Sequence, residues 1–435
     1  MDCPTVLDRL SDLPWDILDN ILGHLPIKDA VRTSVLSRKW RYKWIDLSKL
    51  VVDDSCGATT SMDMDKEWNQ LAKVVYNVLL AHRGQIDKFM LSTLCAGHGN
   101  DVDYWIAFLS RNGIKELILD FNYMYEYELP SSLFSCQQLS CLYITDCSVI
   151  TPHTFNGFSN LVSLQLQRCR VLSAVLENLI SSCPILEALV LLDLDDIGLS
   201  DVGDLGYLNI CAPNLKYLHI EGKFMSIHLE HSLRLTELSL KMAANWNMAH
   251  DTAPFLGFVS HLERLSLCGH LLRGFPVGCD NLKVLELSEV HFDELDEISV
   301  FLSLLRSSSN LKSLSLSASG PFQQDVYKLM TTQNQLSYCF NQLQIVKINI
   351  SVCGPEEEEI QCWRSDLEFI KLLLACSPIL EKMLVDYKHP EECDIWFMRK
   401  LLSFKRPSAQ LIFKYTSSPN PEIYSPPLYI YHGWD

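Results

Sequence analysis

The feature that most restricts what this chain can fold into is a six-residue pattern, L-x-x-L-x-L, that keeps returning along its length. It opens weakly at Ile86, Phe89 and Leu91 and becomes clear at Ile114, Leu117 and Leu119. It then starts again at Leu139, Leu161, Leu186, Leu215, Leu235, Leu262, Leu282, Leu311 and Leu343. Successive starts lie roughly 20 to 30 residues apart, the period of leucine-rich repeats and too long for an array of hairpins. Alternate side chains of a strand share a face, so each L-x-L pair points one way and the leucine three residues earlier closes the same layer. A single copy reads as an ordinary amphipathic helix; a long series of copies does not. The expected fold is α/β, a solenoid with parallel strands on its concave face and helices or irregular segments behind.

The side chains between the repeat leucines then form one row across that concave face: Tyr143, Gln165, Val190, His219, Ser239, Ser266, Glu286, Ser315 and Lys347. This row is the candidate substrate-binding surface. It is mixed in character, with no basic cluster for a phosphorylated peptide and no aromatic cage for a methylated ammonium. Asn122, Cys147 and Cys169 sit three residues after the last leucine of their repeats, where the repeat uses Asn or Cys to satisfy the turning backbone. Leu194, Ala243, Val290 and Ser319 replace them later, so the array degenerates towards its second half.

A helical unit precedes the repeats, at Leu10–Trp44. Pro14 suits a first helical turn, with Ser11 and Asp12 as caps upstream. Ile17, Leu18, Ile21, Leu22 and Leu25 follow at helical spacing until Pro26 stops the helix. Lys28–Val35 reads as a second helix, and Ser37 as the cap of a third that sets Trp40 and Trp44 on one face. About 35 residues cannot bury a core of their own, so this apolar surface meets either another chain or the first turn of the repeats. Val51–Asp65 reads as a polar loop, and Lys66–Arg83 as a helix closing the near end of the repeats.

The run LSDLPWDILDNILGHLPIKDAVRTSVLSRKW resembles the plant F-box, through Leu13-Pro14 and its IL…LP-K-A-TS-LS-W skeleton. The strand-entry motifs SSCPILEAL, CAPNLKYL and ACSPILEKM resemble the repeats of plant F-box proteins, and Gln342–Tyr415 resembles the FBD domain that follows such repeats. The implied order is an F-box at 1–50, a linker and capping helix at 51–85, leucine-rich repeats at 86–341, an FBD segment at 342–415 that caps the open end, and a Pro-rich tail at 416–435. The resemblance further implies docking on a Skp-type adaptor, and through it on cullin and RING subunits, with the repeats holding a protein to be ubiquitinated. Leu13, Pro14, Ile17, Leu18, Ile21, Leu22, Leu25, Pro26, Leu36 and Trp40 are the expected adaptor face and its supporting core. The competing reading is a repeat scaffold without a ubiquitin outcome, its helical start only a cap. Deleting residues up to Trp44 would then destabilise the repeats, whereas a docking module would come away cleanly.

No catalytic constellation stands out: there is no G-x-S-x-G, H-E-x-x-H, Walker or Rossmann fingerprint, and the 13 histidines are scattered. Asp193, Asp195 and Asp196 read as a solvated turn, and the expectation is a non-catalytic binder needing neither metal nor cofactor. A net charge of −17 argues against nucleic acid or an acidic membrane surface as partner. Without an export signal or a spanning apolar run, the expected location is intracellular, cytoplasmic or nuclear, and the 16 cysteines read as reduced, buried and inert. Arg38–Lys43 is set aside as an import signal because it reads as part of a helix. Replacing Leu13 and Pro14 together by Ala is expected to weaken adaptor binding while leaving the repeats folded, as co-purification and circular dichroism would show.

Overall fold

The computed structural model describes residues 13–56, 64–94, 99–121, 127–194, 205–230, 232–242, 259–273, 275–276, 278–292, 294–319, 340–351, 367, 369–388 and 410–415. The chain divides into two compact units, Met1–Arg264 with Gly274–Pro276, and Leu265–Arg273 with Val277–Asp435.

The first unit begins with α1 (Trp15–Leu22) and α2 (Ile27–Arg32). Pro14 stands just before α1, and its carbonyl accepts the Ile17 and Leu18 N–H groups at 3.2 and 3.1 Å. The chain leaves α1 at Gly23, whose N–H donates to the Asp19 carbonyl at 2.7 Å. Pro26 therefore does not stop this helix; it leads into α2, accepting from Asp29 and Ala30 at 2.9 and 3.0 Å. The third helix expected from Ser37 does not form as an α-helix. Trp40 N–H reaches the Ser37 carbonyl at 3.1 Å and Lys43 N–H the Trp40 carbonyl at 3.2 Å, giving turns and then a 3₁₀ segment, Lys43–Asp46. A helix there would set Lys39 against Lys43 and Arg38 against Arg41, like charges at neighbouring positions of one face.

Part of the stretch expected as a loop after the helical unit is a strand. β1 (Lys49–Asp53) buries Leu50 and Val52 and pairs in parallel with β2 (Lys88–Thr93), Leu50 opposite Phe89 and Val52 opposite Leu91. The Asp53-Asp54-Ser55 run masks this short apolar alternation in the sequence. Between the strands, α3 (Met64–Ala81) forms two residues ahead of its expected limits at each end. The helical unit is fastened to the first rung: the Asp19 carboxylate accepts from the Ser48 N–H at 2.9 Å and its hydroxyl at 2.6 Å, and Arg83 N–H donates to the Ile45 carbonyl at 3.1 Å. Removing residues up to Trp44 would uncover β1 whether or not the unit also docks a partner, so that deletion does not separate the two readings.

The ladder continues through α4 (Gly99–Arg111), β3 (Glu116–Phe121), β4 (Cys141–Thr145), β5 (Ser148–Val149), β6 (Ser163–Gln167), β7 (Arg170–Val171), α5 (Ser173–Ser181), β8 (Ala188–Leu192), β9 (Leu205–Cys211), β10 (Tyr217–Gly222), β11 (Phe224–Glu230) and β12 (Glu237–Met242). Its main sheet in this unit runs β1-β2-β3-β4-β6-β8-β10-β12, with every described pairing parallel. The leucines meet rung by rung, Leu142 beside Leu164, then Leu189, Leu218 and Leu238, each at most 2% exposed. The small sheets β5–β7 and β9–β11 lie outside this ladder, and Glu177 of α5 accepts the Asn209 N–H of β9 at 2.7 Å.

One turn recurs without a sequence signal. Asp146, Arg168 and Asp193, each two residues past a repeat's last apolar position, hold φ near 53, 48 and 48°. This left-handed conformation ordinarily favours glycine. Their N–H groups prolong the ladder, donating to the carbonyls of Gln167, Leu192 and Glu221 at 3.0, 2.8 and 2.8 Å. The fully buried Asp146 carboxylate takes the Arg168 guanidinium in a two-pronged contact, at 2.9 and 2.5 Å. Just beyond, Cys169 Sγ donates to the carbonyls of Ile144 and Gln167, as expected for the Asn/Cys position. Asn122 and Ala243 lie outside the described residues.

The second unit holds β13 (Arg264–Cys268), β14 (Val284–His291), α6 (Leu295–Ser307), β15 (Ser313–Ser319), β16 (Ile345–Ser351), β17 (Lys382–Lys388) and β18 (Gln410–Tyr415). β14 to β18 pair successively in parallel, with Leu316 beside Ile348, Val385 and Phe413. The segment after Gln342 thus adds three rungs in the same register, and among the described residues β18 pairs with β17 alone. Residues 369–376 are helical, and Phe369 packs against Phe301 and Phe292 at ring separations of 5.9 and 6.3 Å. Within the segment expected as FBD, residues 352–366, 368 and 389–409 lie outside the described residues, as do the tail at 416–435 and Ser11, Asp12, Asp195 and Asp196.

Neighbouring residues of β6 test the assignment of faces. Leu164 is fully buried, whereas Gln165 is half-buried on the other face. Leu164→Ala is expected to lower the unfolding free energy by about 2–5 kcal/mol, and Gln165→Ala by no more than about 0.5 kcal/mol, read by chemical denaturation.

Candidate functional site

In the opening helical unit, the single apolar face read from the sequence divides in two. Leu18 and Leu22 point inwards with Ile27, Ala30, Trp40, Ile45 and Leu47, all at most 9% exposed. Ile17 and Ile21, four residues apart and so on one side of α1, are each 46% exposed, and Pro14 is exposed one turn earlier. Leu36 is 66% exposed, beside Val35 at 86%, while Leu13, Leu25 and Pro26 are half-buried. Of the ten residues assigned to an adaptor face and its core, Pro14, Ile17, Ile21 and Leu36 form the outward part; Leu18, Leu22 and Trp40 form the core. Val35, at the end of the 3₁₀ segment Thr33–Val35 after α2, and Tyr42, 64% exposed in the turn that replaces the third helix, were absent from that set. Lys43 rests its ammonium over the Trp15 ring, 5.1 Å from the centroid.

The row between the leucines is real in register. In the first unit Tyr143, Gln165, Val190, His219 and Ser239 are successive partners on β4, β6, β8, β10 and β12. In the second unit Glu286, Ser315 and Lys347 are partners on β14, β15 and β16, and Ser266 holds the corresponding place between buried Leu265 and Leu267 on β13. The row also extends past both expected ends, to Val51, Met90 and Ile118 on β1 to β3 and to Leu384 and Ile412 on β17 and β18. Val51 and Ile412 escape the pattern because β1 and β18 lack the full leucine set, whereas Met90 and Ile118 lie between apolar positions that the sequence does show and were left out of the row. Ile118, Tyr143 and Val190 are at most 9% exposed, whereas the other members of the row are half-buried or, at Lys347, exposed.

The row's charge gathers at β10. His219 approaches the Tyr217 hydroxyl through Nδ1 at 3.4 Å and the Glu221 carboxylate through Nε2 at 3.7 Å, and Lys241 reaches the same carboxylate at 3.4 Å. The neighbouring His219 ring, then Lys241, hold the Glu221 carboxyl below the usual carboxylate range against the opposing effect of burial. Tyr143 donates its hydroxyl to Gln167 at 3.1 Å.

Among the described residues no group of three or more His, Cys, Asp or Glu could hold a metal ion, and no helix is long and apolar enough to cross a membrane. The described cysteines are free thiols. Burial pushes Cys136 and Cys279 up to about 12 and Cys141 and Cys183 up to about 11, and raises Cys147 well above the ordinary thiol value.

The family model described as "F-box domain" matches residues 10–51, and the one described as "FBD-associated F-box protein At5g56370, LRR repeats" matches residues 102–316. The Arabidopsis thaliana F-box/FBD/LRR-repeat protein At1g13570 is 38% identical over 429 residues, covering 93% of this chain and 98% of the relative. The probable FBD-associated F-box protein At1g32375 of the same plant is 25% identical over 447 residues, covering 94% and 100%. Among solved structures, an internalin (inlF) from Listeria monocytogenes aligns with a TM-score of 0.34 at 13% identity, over 72% of this chain and 77% of that one.

A thiol whose pKa lies above 10 is almost wholly protonated at pH 8, and burial also excludes the reagent. Cys136, Cys147, Cys183 and Cys279 are therefore expected to stay unlabelled by a thiol reagent at pH 8 in the native chain and to react on denaturation, as peptide mass spectrometry would map.

Proposed function

The chain belongs to the F-box/FBD/leucine-rich-repeat family, and from that membership we propose that it is the substrate-recognition subunit of a Skp–cullin–F-box ubiquitin ligase. The observation that carries this reading is the exposed side of the opening helices. Pro14 just before α1 and Ile17 and Ile21 on it, with Val35 and Leu36 after α2, are apolar groups left in water by a unit whose own interior is already filled by Leu18, Leu22, Ile27 and Trp40. Apolar surface left out of a completed core marks an interaction site. A Skp-type adaptor is its occupant, and through the adaptor the chain is tied to cullin and RING subunits.

The chemistry of this role is proximity. The helical unit and β1 share one compact unit with the first rungs of the repeat ladder, so a protein held by the row at Gln165, His219 and Ser239 is held in the same unit that docks the adaptor. A separate conjugating enzyme then meets the target at high effective concentration. This chain contributes binding free energy and orientation and no catalytic residue. The FBD segment lengthens the ladder by the rungs β16 to β18 and protects the core of the repeats before it.

Ile17→Ser together with Ile21→Ser is expected to abolish co-purification of the full chain with a Skp-type adaptor while leaving the thermal unfolding midpoint within a few degrees of the parent. Truncated interface anchors often cost about 2 kcal/mol or more each. Undiminished adaptor binding by a folded double variant would refute the assignment.

A further inference from the structure

Charge is distributed unevenly along this acidic chain. Between Ala30 and Ile45 stand Arg32, Arg38, Lys39, Arg41 and Lys43 and no Asp or Glu, although the whole chain carries a net charge of −17. From the sequence alone, Arg38–Lys43 reads as part of a helix. The structure corrects that: Arg38–Tyr42 lies in turns, with Trp40 buried as the anchor. The residues on either side of that anchor, Arg38 with Lys39 and Arg41 with Tyr42, are exposed. Arg32 is paired with Asp29 at 3.0 Å and Lys43 lies over Trp15, but Arg38 and Arg41 meet no carboxylate among the described residues. Val35, Leu36 and Tyr42, at 86, 66 and 64% exposed, are interleaved with them in sequence.

Arg38 and Arg41 are thus two exposed cations of an acidic chain that no carboxylate among the described residues neutralises. Continuous in sequence with the outward apolar groups, they complement a carboxylate-bearing surface. We propose that Arg38 and Arg41 are the electrostatic part of the adaptor-docking surface and meet a carboxylate-rich patch on the adaptor. This inference rests on the adaptor reading above. The apolar groups supply the lifetime of the complex, whereas exposed cations act mainly on the rate of encounter, because they attract the partner across solvent before contact. That attraction is screened by salt, with a Debye length of about 10 Å at 0.1 M ionic strength.

The test is the association rate of the full chain with a Skp-type adaptor at about 50 and 400 mM sodium chloride. Arg38→Glu with Arg41→Glu is compared with Arg306→Glu with Lys312→Glu, a reversal of equal size at exposed positions of the second unit. The first pair is expected to slow association roughly tenfold or more at low salt, to flatten the salt dependence and to leave dissociation within about threefold; Arg38→Lys with Arg41→Lys should retain the parent rate. An unchanged association rate in a folded Arg38→Glu, Arg41→Glu variant overturns this inference and leaves the adaptor reading standing. Equal slowing by the distant pair also overturns it, since net charge alone would then be responsible. So does loss of binding to a single-stranded RNA probe with adaptor kinetics unchanged. No complex between the parent chain and the adaptor overturns the inference and the reading together.

Discussion

Parallel stacking in register is the constraint on which the rest of this protein depends. A rung such as Leu161, Leu164 and Leu166 presents three leucines on one side of a five-residue strand, far too little to form a core. They become fully buried only with the rungs on either side in place. Each rung therefore needs a neighbour, and the first and last rungs pose a problem that the internal ones do not. At the start, β1 is supplied by the residues just after the helical unit, and the unit's own apolar groups cover it. Because the pairing is parallel and in register, the side chains between the leucines are forced into rows on the opposite face. The row between the leucines is thus a by-product of core formation.

The helical unit shows how one amphipathic pattern serves two purposes. On α1 the side chains of Leu18 and Leu22 face inwards and those of Ile17 and Ile21 outwards, one position apart in each case. A band of apolar residues wider than its own core requires leaves a surplus on the solvent side, and this surplus gives the unit something to dock with. The Asp19 carboxylate, holding both the N–H and the hydroxyl of Ser48, fixes α1 to the entrance of β1. The outward apolar groups and those that cover β1 accordingly belong to one small unit, and deleting that unit removes both together.

Much of this was legible in the residues. The leucine periodicity gave the parallel ladder, and the row from Tyr143 to Ser239 fell in register because a strand's side-chain period leaves no choice. The misses have separate physical causes. Val51–Asp53 was read as loop because its two inward positions are too few to register as a pattern beside Asp53-Asp54-Ser55. The third helix was read from the spacing of Trp40 and Trp44, but tertiary burial of Trp40 and repulsion among neighbouring cations outweigh that local signal. The left-handed turns at Asp146, Arg168 and Asp193 carry no glycine, since ladder hydrogen bonds at all three, and the buried ion pair between Asp146 and Arg168, stabilise a conformation that the residue types alone disfavour.

By itself the sequence determined the kind of fold and its order along the chain: helical unit, repeats, further repeat-like segment. Those follow from local periodicity, which is a property of residues a few positions apart. Only the tertiary structure decided which apolar side chains of the helical unit are core and which are surface, that β1 belongs to the ladder, and that the cations after α2 stand in solvent. These are matters of what lies opposite a residue in space, and no spacing along one chain specifies that.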